Sequence, residues 1–444
     1  MNKYIFILFF SINITLAQEY PPSLSINEAI SFALENNSEI INAKNEIDKA
    51  YKEKWKTISV GLPQIKASFD YSNFLELPVS LIPAQFFGGQ EGDFTEVSFG
   101  TEQNVVGSAK ISQLLFDGSY LVGLQATKSY IEFFDNALKK TNQEVRKSVT
   151  NAYVNSLISK ENLKIIDKNI MNLDKTLDEA KKLFNGGFIE EESVEQLKIT
   201  LSELESQRKF ANQLQFLLKD LLKISLGYDE QAKLELKSSL ESIIDIQINK
   251  IPQIETWDLN SNIDIKIANN YVEQKRLEYK LEQSKSLPKL SAFISGAYTG
   301  NSNSFTFNNQ NQKWFGSALF GMSLNVPIFS SLGRSASSQI AKISYEQSKI
   351  NLKTAQQQIK INVKNAKVSL ELAIDDFYVT KNNMELSERI ENKNKIKFSQ
   401  GMSSSFELRQ AQTQLYTAQK KYLDALQDLV SKKIELETLL NINN

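Results

Sequence analysis

The chain states one pattern twice. A helical stretch that stops at Leu62-Pro63 and passes into an alternating segment recurs as a helical stretch that stops at Leu287-Pro288 and passes into another. Each half reads helix, strand, loop, strand, long helix, shorter helix. A duplicated unit of this kind constrains architecture more than any single motif. The expected divisions are residues 1–17 as an export signal, 18–227 as the first repeat, 228–261 as a connector and 262–444 as the second repeat. The expected shape is long and hollow, with strands meeting lipid and helices meeting water.

Four segments alternate with a period of two. From Gln64 to Ser72, Ile65, Ala67, Phe69 and Tyr71 share one face, while Gln64, Lys66, Ser68, Asp70 and Ser72 share the other. Val105, Gly107, Ala109 and Ile111 oppose Asn104, Ser108, Lys110 and Ser112. In the second half Leu290, Ala292, Ile294, Gly296 and Tyr298 oppose Lys289, Ser291, Ser295 and Thr299, and Phe320, Met322 and Leu324 oppose Gly321, Ser323 and Asn325. Tyr71, Tyr298 and Trp314 sit near the ends of the apolar faces, where a bilayer meets water. On this pattern Ile65, Phe69, Ile111, Ile294, Phe320 and Leu324 are the candidate lipid-facing residues. The alternative is a water-soluble sheet with one face on a core.

Four strands cannot close in lipid, because an open edge leaves backbone groups unpaired in hydrocarbon at several kcal/mol each. A membrane sheet of this kind has to be completed by further copies of the chain. Two copies give eight strands, an interior that side chains just fill, and three give twelve, with room for water.

The helices are long. From Asp117 to Phe184 there is no Pro and only Gly123, so about 68 residues run for roughly 100 Å. Gly186 and Gly187 stop this helix, and Glu190, Glu191 and Glu192 open the next, which ends at Gly227. The second half repeats the arrangement from Leu332 to Phe398, with a stop at Gly401 and a last helix from Phe406 to Leu440. Ile166, Ile170, Leu173, Leu177, Ala180 and Phe184 alternate steps of four and three, as do Val194, Leu197, Leu201 and Leu204, which is the seam of paired helices. One helix is expected from about Asn27 to Ser59, a loop rich in apolar residues from Asn73 to Val97, and an ordinary exposed loop from Asn301 to Gln312.

Composition narrows the chemistry. Among 444 residues there is no Cys and no His, which excludes disulfides, thiolate or imidazole metal sites, and triads that rely on those groups. The 51 basic and 52 acidic side chains balance to −1, so nothing points to nucleic acid. Neither a catalytic centre nor a cofactor or metal site is expected.

These features resemble the outer-membrane efflux protein family, the TolC-like channels, over essentially all of the mature chain. The most specific local match is the second tip, Phe398-Ser-Gln-Gly401-Met-Ser-Ser-Ser-Phe406-Glu407-Leu408, and its counterpart is Phe184-Asn-Gly-Gly187 continuing to Ser193-Val194. The resemblance implies a mainly α protomer with membrane β-barrel strands. It further implies a homotrimer in the outer membrane whose helices extend into the periplasm, and contacts with a periplasmic adaptor and an inner-membrane pump. It places Phe184, Gly187, Ser193, Phe398, Gly401 and Glu407 at an adaptor-contacting, gated tip, with Glu407 at a position where the family carries an acid.

The function expected is passive conduction of substrates through a tripartite efflux or type I secretion system. The competing reading is a periplasmic coiled-coil adaptor or scaffold whose alternating segments form a soluble sheet. Read structurally, Gly187 and Gly401 are helix caps, and Phe184 and Phe398 are seam residues.

Overall fold

The computed structural model describes residues 20–249 and 257–442. The expected export signal and Pro252 of the connector lie outside the described residues. In chain order the first repeat contains β1 (Ser23–Leu24), α1 (Ile26–Asn36), α2 (Ser38–Val60), β2 (Gln64–Asn73), β3 (Val79–Pro83) and β4 (Phe94–Ser98). It continues with β5 (Gln103–Asp117), α3 (Gly118–Asn185) and α4 (Glu191–Leu226). The connector supplies β6 (Glu235–Leu236) and α5 (Leu240–Asn249). The second repeat contains α6 (Ile263–Ser284), β7 (Lys289–Ser302), β8 (Trp314–Asn325), α7 (Gly333–Ser399) and α8 (Ser405–Leu440).

The duplication is visible in lengths. The long helices have 68 and 67 residues and the helices that follow them have 36 each. The described residues divide into two compact units that cut across the repeats, one within 45–135 and 267–354, the other within 1–44, 136–266 and 355–444.

The first unit contains a four-stranded antiparallel sheet in the order β2-β5-β7-β8. Pro63 and Pro288 stand just ahead of β2 and β7, where a ring that lacks an N–H ends the helix and favours an extended residue before it. The sheet is open: β2 and β8 are its edges. Two differences from expectation occur here. The segment expected as a loop from Asn73 to Val97 forms a second hairpin, β3 with β4, closed by a 3₁₀ turn at Ala84–Phe87. Several of its large apolar side chains stay exposed, Leu81, Phe86, Phe87 and Phe94 among them. The Asn301–Gln312 loop is not ordinary either. Phe305 and Phe307 pack on Tyr71 at 6.0 and 6.2 Å between ring centres, and Phe307 also meets Trp314 at 6.3 Å.

The second unit is helical. Leu173, Leu177 and Ala180 of α3, Val194, Leu197 and Leu204 of α4, Phe398 of α7 and Leu408 of α8 form one buried cluster. Burying each large side chain contributes roughly 1.5–3 kcal/mol relative to leaving it in water. A buried amide pair crosses the α3–α8 contact, with Asn169 Nδ2 donating to Gln419 Oε1 at 2.8 Å. Such a pair favours one register over its neighbours.

The helix expected from Asn27 to Ser59 is instead two, broken at Asn37, whose ψ is 135°. Asn37 Nδ2 donates to the Ser225 carbonyl at 2.8 Å, and Asn37 Oδ1 accepts from the Glu39 amide at 2.8 Å. The side chain thus starts α2 and ties it to the end of α4. Gly227, at φ 80°, permits the approach: a Cβ there would lie 2.4 Å from the Asn36 carbonyl oxygen.

Candidate functional site

Two surfaces carry the sequence-derived residues: the helical turns of the second unit and the sheet of the first.

Both turns are built alike on the descending side. Gly187 (φ 73°) and Gly401 (φ 74°) close α3 and α7 with paired backbone bonds. The Gly187 amide donates to Phe184 O and the Phe188 amide to Leu183 O, both at 2.9 Å. The Gly401 amide donates to Phe398 O at 2.9 Å and the Met402 amide to Lys397 O at 2.8 Å. Only a residue at ease in the left-handed region makes this cap cheaply, so both glycines act as helix stops.

On the ascending side the turns differ. Glu190 precedes α4 with no side-chain cap bond, and Glu191 and Glu192 lie in the first turn, where the helix dipole favours negative charge. Ser404 and Glu407 form a reciprocal cap on α8. The Glu407 amide donates to Ser404 Oγ at 3.2 Å, and Glu407 Oε2 accepts from the Ser404 amide at 3.1 Å and from Ser403 Oγ at 2.8 Å. Those bonds, the Ser403 hydroxyl first, hold the Glu407 carboxyl below the ordinary carboxylate value. The S-x-x-E spacing of a capping box is present in the sequence at Ser404 to Glu407 and marks this bond pattern.

The two turns meet. Ser193 Oγ, in the first turn of α4, donates to Ser405 Oγ, the first residue of α8, at 3.0 Å. The two phenylalanines separate: Phe398 is 1% exposed in the four-helix cluster, whereas Phe184 is 38% exposed and the α3 seam ends at Ala180. The hairpins also line an open groove of about 1950 Å³, edged by Asn162, Gln207, Phe210, Asn383, Gln414 and Gln427. Its walls mix amides with apolar side chains.

In the sheet, backbone register places the candidate lipid-facing residues in line. Ile65 pairs with Ile111, Ile111 with Ile294 and Ile294 with Phe320, so one row of four large apolar residues crosses all four strands. A second row runs Phe69, Gly107, Tyr298, Gly316, and Leu290 pairs with Leu324. The four residues of the first row are exposed, Ile65 at 72% and Phe320 at 66%. The opposite face carries Ser68 against Ser108, hydroxyl to hydroxyl at 2.9 Å, with Ala297 and Ser317 in the same row. Among the described residues no helix is long and apolar enough to cross a membrane, and no acidic group is arranged to hold a metal ion.

Residues 258–441 match the family model described as outer membrane efflux protein. These residues belong to that family. The fold of the chain as a whole is that of solved outer-membrane channels. It superposes on CusC, described in terms of transmembrane channel formation, with a TM-score of 0.73 at 17% identity over 96% of this chain and 95% of that one. For the outer membrane protein VceC of Vibrio cholerae the TM-score is 0.70 at 13% identity, covering 94% and 95%. For the CmeC outer membrane channel of Campylobacter jejuni it is 0.70 at 16%, covering 99% and 94%. Among curated proteins none matches the chain. The efflux-protein resemblance drawn from the duplicated order of elements and from the Phe398–Leu408 tip therefore stands, and the matched residues include that tip.

Proposed function

We propose that this chain is the protomer of a homotrimeric outer-membrane channel that passively conducts solutes delivered by a periplasmic adaptor and an inner-membrane pump. The observation that carries the reading is the Ile65–Ile111–Ile294–Phe320 row, which presents large apolar side chains on the exposed face of an open sheet. In water that face would forfeit roughly 25 cal/mol for every Å² of apolar surface, whereas in hydrocarbon it is matched to its solvent. The soluble-scaffold reading leaves the same face unpartnered, so membrane conduction is favoured.

Self-assembly is supported by two apolar seams that the chain leaves exposed. Phe210, Leu217 and Ile224 stand seven residues apart on α4, and Ile361 and Val368 stand seven apart on α7, with Leu372, Val379 and Leu386 on the adjoining heptad position. The sheet edges β2 and β8 need the same remedy, since unpaired strand edges in lipid cost several kcal/mol per group. The Ser193–Ser405 turn region is the surface on which an adaptor would act, because exposed turns between rigid helices concentrate binding.

The test is reconstitution. Detergent-purified protein added to planar bilayers should produce discrete conductance steps, and particles imaged in detergent should show threefold symmetry. A detergent-free soluble monomer without conductance would reject the reading.

A further inference from the structure

The polar face of the sheet holds one arrangement that folding alone does not call for. Lys66 of β2 stands directly opposite Lys110 of β5. Directly opposed side chains on an antiparallel pair have Cβ atoms only about 4.5–5.5 Å apart, and like charges there are destabilising. Ser295 and Leu319 complete the row, so no carboxylate lies in it.

Both lysines are exposed and, among the described residues, neither forms an ion pair. Asp70, the acid of the same face of β2, accepts instead from Ser68 Oγ at 3.0 Å. Lys110 Nζ rests 4.4 Å from the centre of the Phe293 ring, whose own place lies over Gly321: a Cβ there would come within 2.6 Å of the ring. The ammonium is thereby held above the sheet surface rather than neutralised. The other lysine of this face, Lys289, is different, because its Nζ lies 3.3 Å from Asp117 Oδ2. Nor does the repeat itself require a cation here. Ser291 follows Pro288 at the same spacing as Lys66 follows Pro63.

We propose that Lys66 and Lys110 form a cationic station that selects small anionic solutes as they pass the polar face of the sheet. The proposal rests on the channel reading above, in which that face lines the water-filled lumen and each copy brings its lysine pair to the same level. Rings of Lys or Arg raise the local concentration of anions in a pore and oppose cations.

The experiment is the reversal potential of the full-length channel in planar bilayers under a potassium chloride gradient kept below about 0.1 M, where the screening length is still about 10 Å. The chloride-to-potassium permeability ratio should fall by at least about twofold in the double variant K66Q/K110Q, as expected for removal of a charged ring. It should fall further in K66E/K110E and stay at the parent value in K66R/K110R. The double variant K289Q/D117N, which removes an ion pair and leaves the net charge unchanged, should move it less. Conducting K66Q/K110Q channels with the parent ratio would overturn the proposal, as would an equal shift from K289Q/D117N. So would a loss of assembly common to the Gln and Arg double variants, which would make the pair structural. Parent protein that gives no conductance at all would instead reject the channel reading beneath it.

Discussion

Ser193 and Ser405, 212 positions apart in the chain, join the two helical turns through a single hydroxyl-to-hydroxyl bond of 3.0 Å. A bond between two partly buried hydroxyls contributes about 0.5–1.5 kcal/mol. Ser193→Ala and Ser405→Ala should therefore each speed amide hydrogen exchange in the first turns of α4 and α8 to a similar extent. The double substitution should add little to either single one, because both remove the same bond. Additive effects would show that the two turns are not coupled through it.

Phe398 and Phe184 occupy matching places in the two repeats but not matching environments. Phe398→Ala empties a fully buried position in the α3–α4–α7–α8 cluster and should cost roughly 3–5 kcal/mol. Phe184→Ala removes a side chain that is already over a third exposed and should cost far less. Thermal unfolding followed by the helical circular-dichroism signal separates the two, with a clear drop in midpoint for Phe398→Ala only.

Glu407 ties a pH dependence to the second turn. Its carboxyl lies below the ordinary value of 4.5, first because the Ser403 hydroxyl and then because the Ser404 amide bond to the ionised form. A depressed folded-state pKa contributes stability that is fully present above the unfolded value and lost as pH falls through the folded one. The amide resonance of Ser404 should thus be constant above about pH 4.5 and shift as the medium becomes more acidic, while Glu407→Gln should abolish that shift. A titration centred near neutrality would contradict the capping role.

Much of this architecture was legible because its signals are local. The α3 span of Gly118–Asn185 follows from the absence of Pro and the stop at Gly187, and the strand faces follow from a period of two that Phe293 and Ala297 interrupt. What the sequence hid depends on distant partners. Asn37 breaks a helix because its amide reaches the Ser225 carbonyl, and no local pattern announces that bond. The β3–β4 hairpin was obscured by Pro83 and the glycines that follow it, which read as loop until strands pair across them. At the tip, by contrast, the Ser404-x-x-Glu407 spacing is a local signal, and the Glu407 carboxylate is engaged with Ser403 and Ser404 at the helix start. The heptad pattern placed Phe184 in a seam that in fact ends one turn earlier, at Ala180.

In the proposed channel, lipid bathes one face of the β2-β5-β7-β8 sheet and water the other. The chain contains no cysteine, so single thiols can be introduced on a silent background. In membranes, Ile65→Cys, Ile294→Cys and Phe320→Cys should resist a water-soluble thiol reagent, and spin labels attached there should collide with oxygen dissolved in the bilayer. Ser68→Cys and Ser323→Cys should react readily with the water-soluble reagent. Equal reactivity of both sets would contradict the account.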